Sequence, residues 1–267
     1  MDLRRPTGYA CAMASSDPRE LIVVHHHLFK NAGTSFDALL RENFGNGWDT
    51  REFGPQGEGD FRSWIETSWN KVVFSSHTAP IVPLALEGAS VLQCVFLRHP
   101  IDRIKSAYVF ESTQKAETDG ARFARSHSFE EYVQHRLDLP NDSQCRNFHV
   151  RRLSAYVAQS KGCVSPLERA AAAIRKISFV GIVEEFDESM RRFHDLIRPH
   201  FPEFELVHTR ANVSRTLGTS QLASLRAIRE ELGEEIFERL VAANQDDLLL
   251  YALARRLFVQ ATIDVLS

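Results

Sequence analysis

The 267-residue sequence predicts an α/β fold: a three-layer arrangement with helices on both faces of a parallel sheet and a helix-rich C-terminal part. Three observations predict it. Short, continuously apolar runs of β-branched character recur along the chain, as strands buried on both faces require. Segments of helical period alternate with them, the pattern of parallel strands joined by crossover helices. The composition, 43% hydrophobic and 25% charged, is that of a globular chain. At this length a chain hides roughly three-quarters of its unfolded surface, so no covalent staple is needed.

Residues 1–19 read as a flexible leader and 20–267 as a single α/β domain. Leu21-Ile22-Val23-Val24 is the first strand, ended by His25-His26-His27. From Thr34 the period becomes helical through Phe36, Leu39, Leu40 and Phe44, and Gly45 stops it. Residues 45–60 carry Gly45, Gly47, Gly54, Pro55, Gly57 and Gly59, the composition of a mobile surface loop. Lys71–Ser75 and Val91–Leu97 are the second and third strands. Pro100 then suits the first turn of a helix carrying Ile101, Ile104, Ala107 and Tyr108. The polar stretch 114–126 reads as a flexible connection. Ser128-Phe129-Glu130-Glu131 and Ser165-Pro166-Leu167-Glu168 are capping boxes that open helices, and residues 145–156 between them are helical. Ile177–Ile182 is a fourth strand, followed by helices over 187–198, 220–232 and 234–258.

Thirty-two Lys and Arg against 35 Asp and Glu leave a formal charge of −3, which excludes a general nucleic-acid coat or a polybasic membrane binder. It leaves room for an anionic ligand, because screening makes a local cluster decisive. Cys11, Cys94, Cys145 and Cys163 form no C-x-x-C pair, so zinc-ribbon and thioredoxin chemistry are excluded and reduced thiols are expected. The first 20 residues lack a signal-peptide apolar core, and no window approaches the roughly 20 apolar residues of a membrane span. The expectation is a cytoplasmic chain without a stable membrane anchor.

The most informative segment is His27-Leu28-Phe29-Lys30-Asn31-Ala32-Gly33-Thr34-Ser35, between an apolar strand and an amphipathic helix. Inward backbone N–H groups, the helix N-terminus, Lys30 and the Thr34 and Ser35 hydroxyls all suit a phosphate. Gly33 permits close approach. The order differs from the nucleotide-triphosphatase loop G-x-x-x-x-G-K-[ST], since Lys30 precedes Gly33 by three and the first glycine is absent.

These residues resemble the 5′-phosphosulfate loop of sulfotransferases that use 3′-phosphoadenosine 5′-phosphosulfate (PAPS). Within that family they are most similar to the carbohydrate branch typified by heparan sulfate 2-O-sulfotransferase, whose loop commonly reads H-x-P-K-x-x-G-T-[ST]. Phe29 stands in place of the proline and Ala32 in place of a glycine found in some members. A second stretch, Leu97-Arg98-His99-Pro100-Ile101-Asp102-Arg103-Ile104-Lys105-Ser106-Ala107-Tyr108, resembles the family's 3′-phosphate motif L-R-[DHN]-P-x-x-R-x-x-S-x-Y. Fainter echoes are Val180–Asp187 (V-G-x-x-E-x-[FL]-[DE]), Asn212-Val213-Ser214 in a loop that closes over nucleotide in relatives, and Asp247 with Leu250-Tyr251 (D-x-x-L-Y).

The resemblance implies a P-loop-type fold and in-line transfer of a sulfuryl group from PAPS to an acceptor hydroxyl, most naturally of a saccharide, releasing PAP without a metal. It implies that Lys30, Asn31, Ala32, Gly33, Thr34, Ser35, Arg98, Arg103, Ser106 and Ser214 contact the nucleotide, with Lys30 also catalytic. Arg103 and Ser106, three apart, share a helical face. The acceptor needs a base, and an ordinary imidazole is mostly neutral at pH 7. Relatives carry a glycine-histidine pair after the second strand, here Ser76-His77, which makes His77 the candidate; Glu111 is its rival. Of His25-His26-His27, only His25 and His27 share a face, two metal ligands without a third. His27 is expected to pack beneath the loop. Gln144-Cys145-Arg146-Asn147 resembles an acceptor-cleft segment, and Trp48, Trp64 and Trp69 are placed in packing ahead of sugar stacking. The rival readings are a kinase with an atypical phosphate loop and a non-catalytic nucleotide-binding protein.

Overall fold

The computed structural model describes residues 20–54, 57–157, 165–206 and 220–266. The leader 1–19, Cys11, Cys163 and Ser214 lie outside these residues. Five strands form one parallel sheet: β1 (Leu21–His26), β2 (Trp48–Thr50), β3 (Val73–Ser76), β4 (Ser90–Leu97) and β5 (Phe179–Ile182), in the order β2-β3-β1-β4-β5. Strand β1 is buried at every position, as its unbroken apolar start demands.

Alternate side chains of the sheet feed two cores. On one face Val23, Leu92, Cys94 and Phe96 pack on α1 (Gly33–Phe44) and α8 (Phe186–Ile197). On the other, Ile22, Val24 and Phe74 meet Phe61, Trp64 and Ile65 of α2 (Glu58–Thr67). Val95, Leu97 and Ile182 meet α6 (Phe148–Leu153), α7 (Pro166–Lys176) and α11 (Gln245–Leu266) on that same face. A further cluster joins α3 (Pro100–Thr113), α4 (Asp119–Ser126), α5 (Phe129–Asp138), α9 (Gln221–Leu232) and α10 (Glu234–Ala243). The three-layer α/β expectation thus matches the observed architecture. No helix among the described residues is long and apolar enough to cross a membrane.

Both capping boxes form, Ser128 with Glu131 and Ser165 with Glu168. Several local expectations need correction. The Gly-rich stretch 45–60 holds a 3-10 turn (Gly45–Gly47), edge strand β2 and the start of α2. Three half-exposed residues show no apolar run, and β2 exists because Trp48–Thr50 pair with Val73–Ser75 while Trp64 Nε1 donates to Asp49 at 2.9 Å. Within 114–126 lies helix α4, capped by the Thr118 hydroxyl and burying only Ala121 and Ala124, too small a face to read as a period. His25 and His26 extend β1 and do not end it. The helix expected over 145–156 is confined to α6 and a 3-10 turn (Ser154–Tyr156). The one over 234–258 splits at Asn244, whose Nδ2 donates to the carbonyls of Cys145 (2.7 Å) and Leu240 (2.8 Å).

Candidate active site

Strand β1 lies between β3 and β4, so the segments leaving their C-terminal ends emerge side by side: His77 after β3, residues 27–32 after β1, and Arg98 after β4. Ligands of open α/β sheets bind at such an edge. The β1–α1 loop is held in an uncommon shape. Lys30 (φ 61°) and Ala32 (φ 60°) both adopt the left-handed region, which costs a non-glycine residue about 1 kcal/mol or more. Ala32 precedes α1 without a side-chain cap, and of the first-turn amides that of Ser35 donates to the Ala32 carbonyl at 3.1 Å.

Asn31 holds that shape. It is 1% exposed, and its Oδ1 accepts from the Arg98 backbone N–H at 2.8 Å and from His149 Nε2 at 2.9 Å, while Nδ2 donates to the Phe29 carbonyl at 2.9 Å. One side chain therefore ties the two expected phosphate loops together. His149 opens α6 and is held in turn by Asp247 of α11, which accepts from the backbone N–H groups of His149 (2.9 Å) and Val150 (2.8 Å). Burial pushes the Asp247 carboxyl up, but His149 and these amides outweigh it and hold it below the ordinary range. The other faint motif converges here as well. Glu184 accepts from the His99 N–H at 2.9 Å and from the Tyr251 hydroxyl at 2.5 Å. Gly181 is required because a Cβ there would stand 2.3 Å from the Phe96 ring.

Lys30 is half-buried, with Nζ 4.4 Å from the Phe110 ring centroid. Burial, and after it the positive charge of Arg98, push its ammonium below the ordinary lysine range. A cavity of about 630 Å³ opens beside His99, lined also by Leu225, Leu248 and Tyr251.

His77 stands at the adjacent tip, about half exposed. Its ring stacks on His27 at 3.8 Å, and Nδ1 lies 2.8 Å from Glu52 Oε1. Arg152 donates to the His77 and Ala79 carbonyls at 3.0 and 3.2 Å. Beneath, His25 Nδ1 and His27 Nδ1 each lie 2.7 Å from a different oxygen of Asp37. Burial raises the Asp37 carboxyl, yet the two imidazoles hold it far below its usual range. Asp37 is thus the third group near His25 and His27 that the sequence did not reveal, with ligand atoms of all three within 4.8 Å of one another. His27 packs under the loop as expected: a Cβ on Gly33 would fall 2.1 Å from His27 Cδ2.

Other expected residues distribute unevenly. Thr34 is exposed at the start of α1, whereas Ser35 and Ser106 are buried. Arg103 needs correction as a nucleotide contact. It is 1% exposed, donates to Gln144 Oε1 at 2.9 Å and to the Gln144 carbonyl, and lies 4.2 Å from the Phe148 ring centroid. The guanidinium is turned onto Gln144 and Phe148, so sharing a helical face with Ser106 does not free it for a ligand. Glu111, the rival base, is also committed: it accepts from the Tyr132 hydroxyl (2.9 Å), Arg136 (3.0 Å) and Gln144 (3.3 Å). Cys145 is buried and Gln144 serves Arg103 and Glu111, so the 144–147 segment braces α3 and α5. Trp64 is core. Trp48 and the exposed Trp69 flank the N-terminal end of β3, the edge opposite His77. Sequence reasoning missed Glu52, His149 and Arg152, whose partners are distant in the chain, and Asp37, which meets His25 and His27 only because α1 folds back beside the end of β1.

The sulfotransferase family's sequence profile matches residues 17–254. The chain is also similar to an uncharacterized protein of Archaeoglobus fulgidus, 36% identical over 240 residues that cover 86% of this chain and 94% of the relative. With the loop geometry, this settles the family: the chain belongs to the sulfotransferases.

Proposed function

We propose that this sulfotransferase moves a sulfuryl group from PAPS to an acceptor hydroxyl, on a saccharide or glycoconjugate as in the carbohydrate branch that its loop resembles. The observation that carries the reading is the Asn31 tie, which fixes Lys30 and Arg98 at adjoining tips. Loop amides 32–34 and the Thr34 and Ser35 hydroxyls surround the 5′-phosphate, the Asn31 and Ser35 amides being spent on the Leu28 and Ala32 carbonyls, while Arg98 with Ser106 grips the 3′-phosphate. Ser214 belongs to this set by resemblance alone. Arg103 acts from behind, bracing Gln144. The cavity beside His99 adjoins the Arg98 end and takes the adenine.

His77 Nε2 takes the acceptor proton. The acceptor oxygen forms the new bond to sulfur as the bond from sulfur to the 5′-phosphate oxygen breaks, and PAP leaves with that electron pair. Lys30 meets the charge growing on the leaving oxygen and keeps its proton, because a phosphate leaving group with a second pKa of about 6 needs only charge stabilisation. With Lys30 and Arg98 supplying the positive charge, no metal is assigned to the transfer step.

Thermal unfolding with PAP, and with ATP plus Mg²⁺, tests the binding half. PAP at about 100 Kd stabilises by about 2.7 kcal/mol, equally with and without EDTA, and Arg98→Ala loses most of this. Preference for ATP with Mg²⁺ would instead indicate a kinase. Labelled PAPS screened against glycan, lipid and phenolic acceptors tests the transfer. His77→Ala keeps PAP stabilisation and loses about 10²–10⁴ in turnover, and near-normal turnover removes His77 from the mechanism.

A further inference from the structure

The carboxylate of Glu52 sits where a base needs an orienting partner. Edge strand β2 ends at Thr50, paired with Ser75, and the chain then carries Glu52 alongside residues 76–78. Oε1 faces His77, 2.8 Å from its Nδ1 and 3.2 Å from its backbone nitrogen. Oε2 accepts from the Thr78 N–H at 2.9 Å and the Thr78 hydroxyl at 2.7 Å. A carboxylate only accepts, so Nδ1 must carry the ring's proton, which leaves the Nε2 lone pair on the opposite edge of the imidazole. The stack on His27 at 3.8 Å holds the ring plane, and about half of the His77 side chain is exposed. Burial by itself would raise the Glu52 carboxyl. The bonds from Thr78 and His77 outweigh it and keep the group below its ordinary range, hence charged.

We propose that Glu52 is the positioning residue of the transfer reaction, holding His77 in the Nδ1–H tautomer so that Nε2 can accept the acceptor's proton. The inference rests on His77 being the base. Proton uptake at Nε2 creates an imidazolium beside a carboxylate already in place, so no group has to reorganise as charge develops. The charged and titratable groups around His77 are Glu52 on its edge, His27 on its face, Asp37 and His25 behind that face, and Arg152 at its carbonyl.

The test is ¹⁵N NMR of the histidine-labelled full chain at a pH where His77 is neutral, with PAP bound and no acceptor needed. The wild type shows the Nδ1–H form. Glu52→Ala shifts the population toward the Nε2–H form that free imidazole prefers, and turnover falls by up to about 10²-fold with the PAPS KM unchanged. Glu52→Gln, which keeps an acceptor oxygen opposite Nδ1, restores the tautomer. Thr78→Ala loosens the same loop without touching the Nδ1 contact and leaves the tautomer as in the wild type. An unchanged tautomer in Glu52→Ala, or the same shift in Thr78→Ala, overturns the proposal. The two readings fail separately: a fully active His77→Ala removes the base, whereas an inactive His77→Ala beside an unaltered Glu52→Ala removes only Glu52.

Discussion

Replacing Gly33 by alanine sets two magnitudes against each other. Gly33 is the first residue of α1, and alanine in a helix is favoured over glycine by up to about 1 kcal/mol. Against this, the added methyl would stand 2.1 Å from His27 Cδ2 and 2.4 Å from Nε2, so ring or helix must move by more than an ångström. The ring has nowhere to go. Its Nδ1 is held 2.7 Å from Asp37, and the ring stacks against His77 at 3.8 Å and His25 at 5.3 Å. Overpacking costs about 1–3 kcal/mol, and breaking an imidazole–carboxylate bond about 1.5–3 kcal/mol more. The steric term wins, and Gly33→Ala destabilises by about 2–4 kcal/mol. Denaturant unfolding of the wild type, Gly33→Ala, His27→Ala and the double variant measures this. His27→Ala empties the space, so in that background the alanine costs little, and the cycle gives a coupling of at least about 1 kcal/mol. An equal cost of Gly33→Ala in both backgrounds would refute the reasoning, because the clash would then not be with His27.

Asn31→Ala leaves the Arg98 amide and His149 Nε2 without their shared acceptor. Unfolding is expected to show a loss of about 2–3 kcal/mol, and titration a PAP affinity at least about tenfold weaker; a stable variant with native PAP affinity contradicts the tie. Acid should also weaken the fold through His26. Burial lowers this imidazole from 6.5 to about 4, against the opposing bond to Gln93 at 2.8 Å. Between those values the unfolded chain binds the proton and the folded chain does not, so stability falls as pH falls. From pH 7 to pH 4 the loss from this group is about 3 kcal/mol, and His26→Gln should flatten that part of the curve. A His26→Gln curve parallel to the wild type over this range would rule His26 out as the source.

Much of the sheet was legible because burial on both faces leaves an unbroken apolar run, as in β1 and β4. The capping boxes were legible because their partners are three residues apart. Strand β2 was hidden since its evidence is pairing to Val73–Ser75, which no local window contains. The site divides in the same way. Lys30 and Arg98 occupy spacings that their backbone context explains, and both stand at the expected strand tips. Arg103 looked like a surface cation because helical periodicity cannot tell which face of α3 the later segment 144–148 will cover. Glu52 became visible only when β2 was laid beside β3, and Asp37 only when α1 folded back on the end of β1.

The Asn31 anchorage has a consequence for biosynthesis. His149 comes 118 positions after Asn31, and Asp247 a further 98. At a translation speed of about 5–20 residues per second, the interval between Asn31 and Asp247 is on the order of 10–40 s. Until α11 has been delivered, Asn31 can hold the Arg98 amide but lacks the His149–Asp247 support behind it, so the loop is fully braced only near the end of synthesis.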